Sequence, residues 1–490
     1  MVKMKMLITI VGIILLINAT NVLAQDQLWS VRMAESVMTR HPQGYGWWDY
    51  VTGTVLRGFE ELWHHTGDEK YYNYIQQTVD LSVASNGSIL FYQLSDYNID
   101  QINEGRMVLF MYKATQDNRY KIATETLRSQ LESHPRTSEG GFWHKQRYPD
   151  QMWLDGLYMG SPFYAEYCVL FDESETLDDV VKQLTLMEKH ARDSETGLLY
   201  HGWNETKVQD WADPVTGCSP SFWGRAVGWY AMAAVDVLDF LPEEHAGRDS
   251  VVAIVQRLAE AVVKVQDETS GVWWQVMDQG GREGNYLESS VSCMLVYMLA
   301  KSIRMGYIDE SYWPAVEKAY QGILDEFITE STNGTINLTK TCRTAGLGSG
   351  RDGTYNYYVN ETEVVTNDGK GVGPFITASV EIELHNHTID VEPEKQPVQF
   401  DLDLANYPNP FNSGTNISYS IPVAGHVSLK IYNALGQHIA TLTDEHQSAG
   451  GHTFSWHPES MNHGYASSGV YYAVLQTGSL RKNTKILYLK

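Results

Sequence analysis

Cysteine is scarce in this sequence. Its 490 residues include only four cysteines, which is too few for a disulfide-stapled scaffold. Cys168 and Cys293 fall in apolar helical runs and are expected to be buried thiols, whereas a bridge between Cys218 and Cys342 stays open. The sequence also lacks a Cys-x-x-Cys pair and a His-Glu-x-x-His zinc motif, so no metal site is expected.

Basic residues are also in deficit. Lysine and arginine total 36 against 60 aspartates and glutamates, which gives a formal net charge of -24. Nucleic acids and anionic membranes would be repelled by such a chain, so neither is expected as a partner. A small anionic substrate is not excluded, because a few cations in a pocket can outweigh a distant acidic surface.

Long apolar runs are missing except near the N-terminus. Lys3 and Lys5 precede an apolar run at 7–17, and the small-residue sequence Val22-Leu-Ala24 follows it. This order is typical of a secretory signal peptide, here 1–24, and the run is too short for a stable membrane span. We therefore expect an exported protein, secreted or at the cell surface, with no membrane span in the mature chain.

Five segments share one pattern, a glycine turn followed by an apolar or aromatic strand-like run. They are Asn86-Gly-Ser-Ile-Leu-Phe-Tyr92, Gly140-Gly-Phe-Trp-His144, Thr196-Gly-Leu-Leu-Tyr-His201, Ser270-Gly-Val-Trp-Trp274 and Asn333-Gly-Thr-Ile-Asn337. Helix-patterned stretches precede and follow these runs, as at 249–266 and 156–170. The repeat predicts stacked helical hairpins. Six hairpins fit within 25–388, and their closed form is an all-α (α/α)6 barrel.

Polar and aromatic residues follow the strand-like runs, so such a barrel would gather them at one end. The candidates are Asp100, Lys145, Asp155, His201, Trp223, Arg225 and Trp229. A carboxyl group among apolar neighbours, such as Asp155, keeps its proton to higher pH and can act as a general acid. Arginine can fork onto a carboxylate, and histidine can transfer a proton near neutral pH. Together these residue types fit an anionic sugar and acid/base chemistry.

Each candidate also has an ordinary structural interpretation. Asp155 can cap the helix expected to begin at about Gly156, and Asp100 can cap another helix. His201 can be a satisfied structural histidine. The two tryptophans can fill a core, since aromatic residues make up 12% of the chain. Taken singly, the residues do not decide between these interpretations.

The composition changes near residue 389. The polar, proline-containing stretch 389–402 is expected to be a linker. Beyond it, short alternating runs such as 416–421, 427–432 and 471–477 predict a small all-β sandwich of the immunoglobulin-like kind.

This C-terminal part, 403–490, resembles the C-terminal sorting domain of the type IX secretion system. The matching motifs are Asn406-Tyr-Pro-Asn-Pro-Phe-Asn412, Ile431-Tyr-Asn-Ala-Leu-Gly-Gln437, Ser468-Gly-Val-Tyr-Tyr472 and Lys485-Ile-Leu-Tyr-Leu-Lys490. The resemblance implies type IX secretion machinery as a partner, and cleavage or anchoring of this domain after export. A carbohydrate-binding or fibronectin-like module is the alternative.

The larger part, over most of 29–383, resembles the unsaturated glycuronyl hydrolases of glycoside hydrolase family 105. The motifs that carry the resemblance are Gln151-Met-Trp-Leu-Asp-Gly-Leu-Tyr-Met159, Gly197-Leu-Leu-Tyr-His-Gly-Trp203, Trp211-Ala-Asp-Pro214, Phe222-Trp-Gly-Arg225, Gly284-Asn-Tyr-Leu-Glu-Ser289 and Asn367-Asp-Gly-Lys-Gly-Val-Gly-Pro374. The resemblance implies an (α/α)6 barrel, no metal or organic cofactor, and a substrate with a 4,5-unsaturated uronic acid at its non-reducing end.

The resemblance also implies roles for individual residues. Asp155 would be the general acid/base that protonates C4 of the double bond, and Asp100 the second site carboxylate. The positions expected to contact substrate are His201, Trp223, Arg225, Trp229 and Lys145. We expect an exo-acting hydrolase of lyase-generated rhamnogalacturonan oligosaccharides. The alternatives are an unsaturated 3S-rhamnoglycuronyl hydrolase acting on ulvan oligosaccharides, a non-catalytic surface glycan-binding protein, and an endo-acting glycosidase or lyase.

Overall fold

The computed structural model describes residues 28–390, 403–421, 425–447, 450–458, 467–477 and 480–489. The predicted signal peptide 1–24 lies outside these ranges, as do residues 391–402 of the predicted linker. Two compact units make up the chain, a helical unit that ends at Asp390 and a β unit that follows. The first two residues of the predicted linker therefore belong to the last helix.

Twelve α-helices form the described part of the helical unit. They are α1 (Trp29–Arg40), α2 (Tyr50–Thr66), α3 (Glu69–Asp80), α4 (Gly105–Thr115), α5 (Asn118–Ser133), α6 (Leu154–Leu170), α7 (Leu177–Ala191), α8 (Gly224–Val237), α9 (Arg248–Lys264), α10 (Ser289–Arg304), α11 (Trp313–Phe327) and α12 (Gly369–Asp390). Odd-numbered helices bury one apolar face, as α9 does with Val251, Ile254 and Leu258. Even-numbered helices are buried on nearly all sides, as α8 is along its whole length. The even-numbered helices are the inner ring, which confirms the predicted (α/α)6 barrel.

Contacts between successive inner helices close this ring. Helix α6 packs on α8, α8 on α10, α10 on α12, and α12 on α2. The 3₁₀ turn Ile99–Ile102, which precedes α4, contacts both α2 and α6 and fills the remaining sector. At Gly373 of α12 an added Cβ atom would lie 2.4 Å from the carbonyl oxygen of Thr54, so the approach of α12 to α2 requires glycine there.

The inner helices begin at one end of the ring, and side-chain bonds tie their first turns together. Arg225 in α8 donates to the carbonyl oxygen of Cys342, and the amide of Cys342 donates to Glu288 Oε1, just before α10, at 2.8 Å. Asn103, just before α4, donates to the carbonyl oxygen of Tyr50 in α2 at 2.9 Å. Because a helix N-terminus carries partial positive charge, this end of the barrel favours anions.

Short pairings lie at the same end and replace the predicted strand-like runs. The first three runs form isolated bridges, Val83 with Ile89, Arg136 with Phe142 and Arg192 with Leu199, and in the fourth Trp274 bridges to Leu287. The fifth run forms β4. The strands here are β1 (Gln151–Trp153), β2 (Gly202–Asn204), β3 (Ile328–Glu330), β4 (Ile336–Leu338), β5 (Thr341–Cys342) and β6 (Val364–Val365). They pair antiparallel as β1 with β2, β3 with β4, and β5 with β6.

The β unit is a small antiparallel sandwich. Its strands are β7 (Asp403–Tyr407), β8 (Thr415–Ile421), β9 (Gly425–Asn433), β10 (His438–Gln447), β11 (Gly450–Trp456), β12 (Gly469–Thr477) and β13 (Leu480–Tyr488). One sheet has the order β10-β9-β12-β13 and the other β11-β8-β7. Alternate side chains of both sheets, such as Ile417, Leu429 and Leu475, meet in one buried core. The predicted all-β domain is confirmed.

All four cysteines lie among the described residues, and all are buried free thiols. Cys218 and Cys342 are therefore not bridged; Cys218 Sγ instead donates to the carbonyl oxygen of His190 at 3.1 Å. In the described ranges, we find no helix whose length and apolar character would allow it to cross a membrane.

A compensated cluster of charges is buried between α4, α8 and α10. Asp236 Oδ2 lies 2.8 Å from Arg106 Nη1, and Oδ1 lies 3.0 Å from Lys301 Nζ. The hydroxyl of Tyr297 donates to Oδ1 at 2.7 Å. None of the three charged side chains is more than 3% exposed. Each charge depends on its partners, because water cannot replace them there.

Candidate active site

Asp155 lies in the first turn of α6 but does not cap it. The helix begins at Leu154, with Trp153 in the capping position, and not at Gly156 as the sequence led us to expect. The reason is β1: its pairing with β2 keeps the backbone extended up to Trp153, and the amide of Leu154 donates to the carbonyl oxygen of His201 at 2.9 Å. Asp155 is therefore the second helical residue, and its carboxyl group is available for other contacts.

The carboxyl group of Asp155 faces His201 with one oxygen only. Oδ2 is buried and lies 3.0 Å from His201 Nε2. Neither Oδ2 nor Nε2 makes a hydrogen bond among the described residues, whereas Oδ1 is not buried in this way, and 14% of the Asp155 side chain is exposed. The two oxygens thus have different surroundings, and Oδ1 is the one that a ligand can reach.

The second ring nitrogen of His201 contacts Tyr358. The hydroxyl of Tyr358 lies 2.6 Å from Nδ1. Burial raises the pKa of Tyr358 well above its ordinary value, so the hydroxyl keeps its proton and can donate to Nδ1. In the tautomer that accepts this hydrogen bond, His201 carries its own hydrogen on Nε2, the nitrogen that faces Asp155.

Tyr358 belongs to a π-helical turn, Tyr357–Glu361, and is held there by neighbours from other loops. Its ring stacks on Trp223, with centroids 5.4 Å apart and planes 11° apart. Gln275 donates to the carbonyl oxygen of Tyr358 at 3.0 Å and accepts from Trp223 Nε1 at 3.2 Å. The ring of Trp223 also contacts that of His201 at 4.8 Å. Asp155, His201, Trp223 and Tyr358 therefore form one connected group.

Asp100 occupies the 3₁₀ turn Ile99–Ile102 and pairs with Lys145. Lys145 Nζ lies 2.5 Å from Asp100 Oδ2, and His144 Nε2 lies 3.4 Å from Oδ1. Burial alone would raise the pKa of Asp100, but Lys145 and His144 lower it below its ordinary value. Burial also lowers the pKa of His144 to about 4. Asp100 is therefore an anion near neutral pH, beside a neutral His144.

Stacked rings connect Asp100 to Asp155. His144 stacks on Trp153 at 4.2 Å, and the edge of Trp153 meets His201 at 5.4 Å. Trp153 directly precedes α6, which carries Asp155. The structure thus places both predicted carboxylates beside one connected set of rings.

Arg225 and Trp229 lie deeper, both on α8. Arg225 is fully buried, donates to the carbonyl oxygen of Cys342 and lies 5.1 Å above the ring of Trp223. Its Nη1 is buried and has no hydrogen-bond partner among the described residues. Trp229 stacks on Tyr158 of α6 at 4.8 Å, inside the packing of the two inner helices. A substrate contact of Trp229 remains a prediction.

Several residues at this end were not singled out from the sequence. Tyr358 has the most direct contact, and its position in the glycine-rich stretch 347–358 was the only signal. Asp49 caps α2, and Tyr50 is the first residue of that helix: burial first, and then the charge of Asp100, raise the pKa of both groups. Lys370 begins α12 and pairs with Asp368 at 2.8 Å. Burial, and then Arg225, lower the pKa of Lys370.

The site contains cationic side chains but, among the described residues, no group of side chains arranged to bind a metal ion. Lys145, Arg225 and Lys370 all belong to the end of the ring where the inner helices begin. Over the ranges that the structure covers, histidine, cysteine, aspartate and glutamate are nowhere grouped to hold a metal ion. This arrangement can hold an anionic ligand and transfer a proton through Asp155.

A family model described as Glycosyl Hydrolase Family 88 matches residues 29–385, nearly the whole helical unit. The chain belongs to this family. A solved family 105 glycoside hydrolase from C. acetobutylicum ATCC 824 is 44% identical to this hydrolase and covers 73% of this chain and 100% of its own, with a TM-score of 0.71. The protein is therefore a glycoside hydrolase of the unsaturated glycuronyl hydrolase family.

Two curated relatives bear on the specificity of this hydrolase. Unsaturated rhamnogalacturonyl hydrolase YesR of Bacillus subtilis (strain 168) is 27% identical over 284 residues, 57% of this chain and 76% of its own. An unsaturated 3S-rhamnoglycuronyl hydrolase of Alteromonas sp. (strain LOR) is 24% identical over 172 residues, 35% of this chain and 40% of its own. The β unit matches a FlgD Ig-like domain at residues 409–479.

Proposed function

We propose that this hydrolase removes the 4,5-unsaturated uronic acid from the non-reducing end of rhamnogalacturonan oligosaccharides made by a lyase. One observation carries the proposal. Asp155 presents a single accessible oxygen, Oδ1, while Oδ2 is buried against His201 Nε2 at 3.0 Å. Such a carboxyl group can deliver one proton in one direction, which hydration of a carbon–carbon double bond needs.

In the proposed reaction, Asp155 transfers its proton from Oδ1 to C4 of the substrate. The double-bond electrons form the new C4–H bond, and the ring oxygen shares the positive charge that develops at C5. Asp100 is ionised and stabilises this charge electrostatically. Water then adds to C5 and returns a proton to Asp155.

The product of this addition is unstable. The C5–O5 bond of the hemiketal opens to a ketone, and the hemiacetal left at C1 then releases the aglycone as an alcohol. Asp155 ends the cycle protonated, as it began. No covalent bond to the protein is required.

The substrate is anionic, and the charges at the site support this assignment. Arg225 has a buried Nη1 without a partner among the residues described, and Lys145 and Lys370 contribute further cations to the same end of the ring. The similarity to YesR, which is the more extensive of the two curated matches, favours a rhamnogalacturonan oligosaccharide. Ulvan oligosaccharides, in which rhamnose also lies next to the unsaturated uronate, are the alternative substrate.

An absorbance assay tests this proposal. The conjugated double bond of the substrate absorbs in the ultraviolet, and its hydration removes that absorbance. The protein should be assayed separately with the products of a rhamnogalacturonan lyase and with those of an ulvan lyase. Loss of absorbance with the first set, and little with the second, supports the proposal, whereas the reverse result would assign the enzyme to ulvan. No loss with either set contradicts the proposed activity.

We also propose that the β unit is a sorting domain of the type IX secretion system. Its support is the set of sequence motifs in 403–490, since a FlgD Ig-like match describes only the kind of fold. Deletion of 403–490 in a host that has this machinery should leave the hydrolase in the periplasm, whereas the full chain reaches the cell surface or the medium. Equal export of both forms would contradict the assignment.

A further inference from the structure

Two large aromatic rings are exposed beside the Asp100 turn, and we call this pair the rim platform. Trp47 is 59% exposed and Phe91 is 73% exposed. Their rings meet edge to face, with centroids 5.9 Å apart and planes 84° apart. Exposed aromatic rings that support each other in this way form a fixed surface and not two loose side chains.

Both halves of the rim platform are tied to the turn that carries Asp100. Trp48, next to Trp47, donates from Nε1 to the carbonyl oxygen of Gln101 at 3.1 Å. On the other side Tyr92, next to Phe91, donates to Gln130 at 2.8 Å, and Gln130 donates to the carbonyl oxygen of Asn98 at 3.1 Å. Asn98 and Gln101 flank Asp100, so the platform borders the site.

The backbone of the platform also indicates a role beyond folding. Phe91 has a φ of 63°, in the left-handed region that bulky residues avoid. A strained backbone that presents an apolar ring to water is unfavourable on both counts, and such strain clusters at ligand-binding sites. The carbonyl oxygen of Trp47 accepts from Thr52 at 2.9 Å, which fixes that residue too.

We propose that the rim platform binds the sugar on the reducing side of the scissile bond by stacking on its apolar C–H face. This inference rests on the proposed function. The unsaturated uronate must lie against Asp155 and Asp100, so the rest of the oligosaccharide has to leave the pocket across its rim. Trp47 precedes Asp49 by two residues, so the backbone distance between them is at most about 7 Å. This distance is roughly the length of one sugar unit. The neutral platform fits a neutral sugar better than a second uronate.

The experiment compares two substrates of different length. The unsaturated disaccharide from a rhamnogalacturonan lyase, and the methyl glycoside of the same unsaturated uronic acid, which lacks the reducing-side sugar, are each assayed with the full chain and with Trp47→Ala. Loss of one aromatic contact of ordinary strength predicts that KM for the disaccharide rises about three- to tenfold. KM for the methyl glycoside and kcat for both should change much less, because the acid and its partners are untouched.

Phe91→Asn is the second variant, because asparagine tolerates the left-handed backbone and removes only the ring. Met305→Ala is the control: Met305 is 42% exposed, but it follows the last residue of α10, about 24 Å from the end where that helix begins. An unchanged disaccharide KM in both platform variants overturns the inference. So does an equal rise for the methyl glycoside. A full chain inactive on both substrates would overturn the proposed function itself, which is a distinct result.

Discussion

The hydroxyl of Tyr358 lies 2.6 Å from Nδ1 of His201, on the side of the imidazole ring that faces away from Asp155. The other nitrogen, Nε2, lies 3.0 Å from Asp155 Oδ2. When Tyr358 donates to Nδ1, the hydrogen of His201 is on Nε2, and Oδ1 is the oxygen left to carry the transferable proton. Tyr358, in a loop outside the helical repeat, is thus the contact that can set the tautomer of His201.

Tyr358→Phe should lower kcat about tenfold, because His201 loses the donor that fixes its tautomer. KM should change little, since the phenyl ring still stacks on Trp223. Steady-state kinetics on the unsaturated disaccharide measure both quantities.

Tyr357→Phe is the matched control for this variant. The Tyr357 hydroxyl accepts from the amide of Gly346 at 3.1 Å and does not contact His201. Tyr357→Phe should leave kcat unchanged. If both variants alter kcat equally, the effect comes from the loop and not from the His201 contact.

Asp155→Asn should reduce turnover by about a thousandfold or more while the protein still binds substrate. The asparagine has nearly the same shape, but it has no proton to give to carbon. Calorimetric titration with the unsaturated disaccharide should give a dissociation constant close to that of the parent protein. Turnover within a few-fold of the parent protein would remove Asp155 from the role of acid.

The sequence predicts much of this site because the repeat has a physical basis. Each hairpin needs a turn between its helices, so residues after the turns collect at one end of the ring. That argument alone brings together Asp100, Asp155, His201 and Trp223. It says nothing about Tyr358, which depends on the contacts of its π-helical turn with Gln275 and Trp223.

Two other positions show why the local sequence pattern does not predict every feature of the site. The start of α6 was misplaced by two residues, because the pairing of β1 with β2 was not visible in the local sequence. Trp229 lies one helical turn after Arg225, and helical spacing cannot tell a ring that faces the site from one that packs on Tyr158. Both depend on tertiary contacts.

Lys145→Met should raise the pKa of Asp100. Lys145 and His144 at present outweigh the effect of burial and hold the pKa of Asp100 below its ordinary value. Without the lysine, the carboxylate would take up a proton at higher pH. The acidic limb of the kcat/KM profile should therefore move to higher pH, if Asp100 acts as an anion. Lys264→Met, in an exposed pair with Glu260, should leave the profile unchanged.

The four cysteines should behave as inaccessible thiols. All are buried and free, and burial raises the pKa of Cys168 and of Cys218 to about 11. A thiol reagent at pH 8 should label none of them in the native protein and all four in denaturant, because the thiolate is the reactive form. Dithiothreitol should not change the thermal midpoint. A shift on reduction would indicate a disulfide that this fold does not contain.

Asp236→Ala should lower the free energy of unfolding by about 3–5 kcal/mol, because Arg106 is then buried without its carboxylate and Lys301 keeps only its pair with Asp239. Burial raises the pKa of Asp236, but Lys301 and Arg106 outweigh it and lower the pKa well below the ordinary value. Because the native pKa is lowered, the ionised carboxylate stabilises the fold at pH values above the unfolded pKa of about 3.9. This stabilisation is lost progressively as the pH falls from there towards the native pKa. Urea unfolding should therefore separate parent and variant widely at pH 7 and less at pH 3. Glu260→Ala, in an exposed pair, should leave stability almost unchanged at either pH. A small, pH-independent effect of Asp236→Ala would mean that this cluster does not hold the inner helices together.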